Sequence, residues 1–200
     1  MKRLGVLLSG RGSNFAAIAD NITKGKLKGC EIAVVISNKA DAAGLATARE
    51  RGLKALVIEA RGRKRADHDA EIIAALRQHN VDLVILAGYM RLLSPEFIQA
   101  FPQRILNIHP SLLPAFAGLD AQEQAFTYGV QVAGCTVHFV DEQLDHGVII
   151  LQKTVPVLEN DDSHTLANRI LEQEHIAYPE AIARVLSGEY RVVGRRYVKA

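Results

Sequence analysis

Short apolar runs recur along the first half of this chain, and a helical pattern follows almost every one. Leu4–Leu8, Glu31–Ile36, Lys54–Ile58, Asp82–Ala87 and Ile105–Ile108 read as strands. Between them, Phe15 to about Lys24, Asp41–Arg51, Ala66–His79 and a short segment opened by Ser94-Pro95-Glu96 read as helices. A strand rejoins its sheet in parallel only through a crossover, and a helix is the usual one. The alternation therefore predicts an α/β chain with a doubly wound, mostly parallel sheet and helices on both faces. Further on, Leu119–Tyr128 reads as a helix closed by Gly129, and Gly134–Val140 and Val148–Val157 as strands. Asp162-Ser163 is placed to cap a helix from Thr165 to about His175, which Pro179 breaks or restarts before Gly188. No linker or repeat interrupts the pattern, so one domain over 1–200 is expected, with 189–200 as a basic, peripheral tail.

Composition narrows the function classes. With 48% hydrophobic and 23% charged residues, the 200-residue chain suits a globular core. A net charge of +2 gives no case for a nucleic-acid partner. No apolar run approaches the roughly 18 residues of a membrane span, and Met1–Leu8 shows no cleavable signal pattern. Cys30 and Cys135 stand in unrelated contexts with no metal-ligand spacing. They are expected to be buried free thiols in a reducing cytoplasm.

Open α/β sheets bind ligands where strands end, and the chemistry-bearing residues collect there. Asn107 and His109, two apart at the end of a strand, project to one side, and Pro110 stops the ladder after them. A carboxamide and an imidazole side by side can donate to an oxygen gaining charge, or move a proton. Spacing alone also allows a polar pair that merely caps the strand. Ser9-Gly10-Arg11-Gly12-Ser13-Asn14, between a strand and a helix, reads as an anion site made of backbone N–H groups and the helix dipole, or else as a tight strand-to-helix turn, with Ser13 or Asn14 as cap. Phe15 occupies the third glycine position of a dinucleotide fingerprint, there is no Gly-Lys-Ser/Thr, and Ser37-Asn38-Lys39 offers no acid for a ribose. A phosphate ester or mononucleotide fits better than NAD.

Gly88-Tyr89-Met90-Arg91-Leu92-Leu93 is an apolar loop with one Arg, suited to a flat heteroaromatic ligand or to ordinary packing. The basic run Arg61–Arg65 is a solvated loop from which one arginine can reach an anion. His138 is read as structural. In Asp141–Gly147, a carboxylate either makes a turn or, meeting His109, orients the ring and favours its charged form.

Four stretches carry a resemblance to a known family: Leu8–Asn14, Ala87–Leu93, Leu106–Pro114 and Gln173-Glu174-His175. Over about residues 4–186 the chain resembles the phosphoribosylglycinamide formyltransferases, the folate-dependent formyltransferases of purine synthesis. The resemblance implies transfer of a formyl group from the co-substrate 10-formyltetrahydrofolate to the amine of glycinamide ribonucleotide, in the cytoplasm and without a metal. It implies Asn107, His109 and Asp145 as catalytic groups. Gly12, Ser13 and Asn14 would hold the nucleotide phosphate and Glu174 its ribose. Arg65, Met90, Arg91, Leu92, Leu93, Asn107, Val140 and Asp141 would contact folate. The partners implied are small molecules, with no nucleic acid or membrane, and a homodimer is left open.

Two positions depart from the family pattern. Val148 follows Asp145-His146-Gly147 where relatives often have Pro, and Ala117 precedes Gly118 where Pro is common. Competing readings are a 10-formyltetrahydrofolate hydrolase, a methionyl-tRNA formyltransferase, a serine hydrolase built on Ser111, and a non-catalytic nucleotide-binding module. The tRNA enzyme would need a further domain and more basic charge, and Ser111 lacks a Gly-x-Ser-x-Gly elbow.

Overall fold

The computed structural model describes residues 1–200, which divide into two compact units, Met1–Asn107 and Ile108–Ala200.

The first unit alternates strand and helix as its sequence predicts. Its elements are β1 (Lys2–Leu8), α1 (Ser13–Thr23), β2 (Cys30–Ser37), α2 (Ala43–Glu50), β3 (Ala55–Val57), α3 (Arg65–Gln78), β4 (Leu83–Leu86), α4 (Pro95–Ala100) and β5 (Ile105–His109). The unit boundary falls within β5, after Asn107. The strands lie in the order β3-β2-β1-β4-β5, all parallel. Leu4, Val6, Leu7, Leu8, Val84 and Ile85 are fully or almost fully buried, as strands covered on both faces require. Right-handed crossovers put α1 and α2 on one face and α3 and α4 on the other, and each pair is in contact. The strand order reverses between β1 and β4, and their loops meet there. Ser9 N donates to the Gly88 carbonyl at 3.0 Å. The Ser9 hydroxyl accepts from Met90 N at 2.9 Å and donates to Asn38 at 2.6 Å.

A buried His–Asp pair fastens α3 beneath these loops. His68 and Asp69 are 0% and 1% exposed, with Nδ1 and Oδ1 3.6 Å apart. Neither of those two atoms has a hydrogen-bond partner. The other imidazole nitrogen lies 2.7 Å from the Ile58 carbonyl, and the other carboxylate oxygen accepts from Ser94 N at 2.6 Å. Ser94 in turn caps α4 through Phe97 N.

The second unit is largely antiparallel, which the sequence reading did not anticipate. It holds α5 (Ala121–Tyr128), β6 (Val132–Phe139), β7 (Ile149–Pro156), α6 (Ser163–Ser187), β8 (Tyr190–Val193) and β9 (Arg196–Lys199), with strand order β6-β7-β9-β8. β6 and β7 are antiparallel, β9 runs parallel to β7, and β8–β9 is a hairpin. Thus 189–200, expected as a peripheral tail, forms the edge of this sheet. The helix expected to break at Pro179 runs through it to Ser187. Proline withdraws one backbone donor, but Ala177, Tyr178, Ala181 and Ile182 are all fully buried around it, and packing on β6 and β7 outweighs the lost bond. At the other end, Asp162 and Thr165 form a capping box.

Asp69→Ala should destabilise the protein by about 3–5 kcal/mol in urea unfolding, the usual cost of orphaning one partner of a buried pair. A cost under about 1 kcal/mol would mean that the pair is not a structural anchor.

Candidate active site

In the second unit, the loop after β5 and the loop between β6 and β7 converge on one carboxylate. Asp145 Oδ2 accepts from Gly118 N at 2.9 Å and lies 3.4 Å from His109 Nδ1. Both side chains are over nine-tenths buried. The meeting of His109 with Asp145 that the sequence left open is therefore present. His109 Nε2 lies 2.9 Å from the Phe116 carbonyl, which can only accept. Both ring nitrogens thus face acceptors. Phe116 and Asp145 have φ of 53° and 50°, left-handed backbone that side chains other than glycine adopt only under tertiary constraint.

Two residues that the sequence reading did not single out build this geometry, together with Gly147. Thr136, on β6 and fully buried, accepts from Leu113 N at 3.0 Å and donates to the Ser111 carbonyl at 2.7 Å. Gln152 on β7 donates to both Thr136 and the Leu113 carbonyl at 2.9 Å. The stretch after His109 is thereby pinned to the β6–β7 pair. Gly147 is required by crowding, since a Cβ there would collide with the Phe139 carbonyl. The absence of proline at Val148 leaves the loop shaped, because the Val148 carbonyl accepts from Phe139 N at 2.9 Å. At the other departure from the family pattern, Gly118 at φ 88° supplies the amide that binds Asp145. Thr136 and Gln152 follow no motif; each is identified only by what it touches in three dimensions.

His138, read as structural, also reaches this site. Its Nε2 is 3.9 Å from Asp145 Oδ1, while Nδ1 lies 2.8 Å from the Phe139 carbonyl. Burial holds its pKa below the ordinary 6.5, against the opposing pull of Phe139 and Asp145, so the ring is kept neutral. The signal in the sequence was its position two residues after Thr136 on the same strand face. Val140 and Asp141 follow β6, and Asp141 accepts from Gln143 N at 2.9 Å. Glu174 lies on the buried stripe of α6 with Leu166, Ile170 and Tyr178, and is 6% exposed.

The first unit carries the remaining sequence-predicted residues. Gly12, at φ 72°, is the N-cap of α1, correcting the expected Ser13 or Asn14 cap; these two begin the helix instead. The left-handed turn needs glycine, and a Cβ there would come within 3.0 Å of Gly44. Amides of the first helical turn have no intrahelical acceptor and face outward with the positive end of the dipole. Met90 and Leu92 are exposed by 68% and 54%, an apolar pair on the strand-end loop. Asn107 pairs with Leu86 at the end of β4. A cleft of about 460 Å³ at the ends of β2, β3 and β4 is lined by Asn38, Lys39, Asp41, Glu59, Arg61 and Arg91. Arg65 is not one of its walls; it is exposed at the first position of α3.

Against this geometry the chain matches the formyl transferase family over residues 2–182, on both units. It belongs to that family. It is 42% identical to the phosphoribosylglycinamide formyltransferase of Escherichia coli over 188 residues, 94% of this chain and 88% of that one. It is 45% identical to the trifunctional purine biosynthetic protein adenosine-3 of Drosophila melanogaster, of whose length it spans only 14%. The solved glycinamide ribonucleotide transformylase 1 of Symbiobacterium toebii is 52% identical, with a TM-score of 0.96 over all of this chain and 94% of that one. The formyl transferase fold was thus the correct expectation, although its antiparallel portion was not foreseen.

Two outcomes test this geometry. Thr136→Val keeps the shape but orphans three partners, so it should cost about 2–4 kcal/mol in urea unfolding; a near-neutral result would contradict the pinning. His138 and His175 are both held below 6.5, burial being the leading cause. Below 6.5 the unfolded chain therefore binds more protons than the fold, and stability falls as pH drops through that window. Asp161, Asp162 and Glu180 are also depressed, but they respond only in more acid solution. The urea midpoint should be lower at about pH 5.5 than at about pH 7.5, and His175→Gln should reduce the difference. Equal midpoints would contradict the burial argument.

Proposed function

We propose that this formyl transferase passes the formyl group of 10-formyltetrahydrofolate to the amine of glycinamide ribonucleotide. The observation that carries this reading is the buried His109–Asp145 contact, on the residues that the resemblance implies as catalytic, in a chain that matches the family over 2–182. The amine lone pair attacks the formyl carbon, and the carbonyl electrons move onto oxygen. The oxyanion then collapses, the bond from carbon to the folate nitrogen breaks, and that nitrogen takes a proton as the attacking nitrogen loses one. The Asn107 amide and the charged His109 ring are donors for the oxyanion, where one preorganised donor is typically worth about 10²–10³ in rate. Asp145 holds His109 charged and, through water, accepts the amine proton.

The Phe116 carbonyl occupies His109 Nε2 in this state. Donation from that nitrogen to substrate therefore requires an exchange of acceptor, with the residue 110–118 stretch moving as the substrate oxygen takes over. The Gly12–Ser13–Asn14 turn binds the phosphate, with Glu174 on the ribose. Met90, Arg91, Leu92, Leu93, Val140 and Asp141 receive the folate. Arg61 joins Arg65 as a candidate for folate's anionic end, because it lines the first unit's cleft with Arg91.

Asp145→Asn and His109→Asn should each lower kcat by at least about 10²-fold, while the Kd for glycinamide ribonucleotide stays within about threefold. Calorimetric titration beside steady-state rates checks both. Binding lost in proportion to rate would contradict the catalytic roles.

A further inference from the structure

The C-terminal hairpin is seated where the Asp145 loop begins. β8 and β9 join through the two-residue turn Gly194-Arg195, with Gly194 at φ 58°, the positive φ such turns need. Arg196 pairs with Ile149 of β7. The Tyr197 ring meets Phe139 edge-on at 5.5 Å and stacks on Tyr190 at 5.4 Å. Arg184 of α6 lies over Tyr190. Phe139 ends β6, so the hairpin is anchored at the root of the loop that carries Asp145.

From that seat Arg195 holds the residue after Asp145. One guanidinium nitrogen donates to the His146 carbonyl at 2.6 Å, and the other lies 2.9 Å from His146 Nε2. His146 Nδ1 lies 2.9 Å from Asp141 Oδ2. A ring protonated on Nδ1 alone donates to Asp141 and accepts from Arg195, so one imidazole ties both ends of the loop to the hairpin. Asp145 stands between them in left-handed backbone, a conformation that needs holding.

We propose that Arg195 is a positioning residue. Through His146 it keeps the loop in the shape that sets the Asp145 carboxylate against His109, which makes the C-terminal hairpin part of the catalytic apparatus. This rests on the assignment of Asp145 as the catalytic carboxylate.

The test is a double-mutant cycle of Arg195→Ala and Asp145→Asn on the full chain, with formyl transfer as readout. Arg195→Ala should lower kcat about tenfold, with the KM for glycinamide ribonucleotide within about twofold and the melting temperature within about 2 °C. Arg195→Lys should recover only part, since an ammonium cannot span the carbonyl and the ring as a fork does. In the Asp145→Asn background the same Arg195→Ala change should alter the residual rate less than about twofold, because no carboxylate remains to be placed. Unchanged turnover in Arg195→Ala beside an impaired Asp145→Asn would overturn the brace while leaving the catalytic assignment standing. An equal loss in both backgrounds would also overturn it. Wild-type turnover in Asp145→Asn would overturn the assignment itself, and the brace with it.

Discussion

A carboxylate withdrawn from water must find its donors inside the protein, and Asp145 imposes that demand on the whole second unit. The Gly118 amide donates to it, and His109 Nδ1 lies 3.4 Å away. Meeting that demand brings the end of β5, the following loop and the β6–β7 loop to one point. The backbone cost appears at Phe116 and Asp145, both left-handed, and at Gly147, where no side chain fits. Such conformations persist only when neighbours over-determine them. Thr136 and Gln152 supply that constraint from the strands, and Arg195 supplies it from the hairpin.

The first unit solves a different problem by simpler means. A parallel sheet buried on both faces offers ligands only its strand ends, and there Ser9 links the loops after β1, β2 and β4 with three hydrogen bonds. The buried His68–Asp69 pair fixes α3 and the start of α4 underneath. The phosphate-type turn and the Met90 loop thus rest on a rigid floor, while their own polar and apolar groups face outward.

What the sequence disclosed follows from the range of the physics involved. The strands and helices of 1–107 were legible within a residue or two because burial of a parallel strand writes an uninterrupted apolar run, as in Leu4–Leu8. The pairing of β6 with β7 was not, because alternation along Gly134–Val140 says nothing about direction. Pro179 misled because its local preference was overridden by packing of α6. Gly12 rather than Ser13 as the cap reflects the closeness of Gly44, a contact 32 residues away in the chain. Of the candidate site, Asn107 and His109 stood out by chemistry, and Asp145 and Glu174 by their places in the family pattern. Thr136, Gln152, Phe116 and Arg195 did not, since each acts through a long-range contact that no local pattern records.

On the proposed function, the chain moves a formyl group between two small molecules and does not merely bind them or hydrolyse one. The most direct measurement is release of tetrahydrofolate from a 10-formyl folate by the purified full chain, with and without glycinamide ribonucleotide. The account predicts turnover that requires the amine and yields formylated nucleotide in equal amount. Folate release at the same rate without the amine would contradict it in favour of hydrolysis. Binding of both ligands without turnover would contradict it in favour of a non-catalytic module.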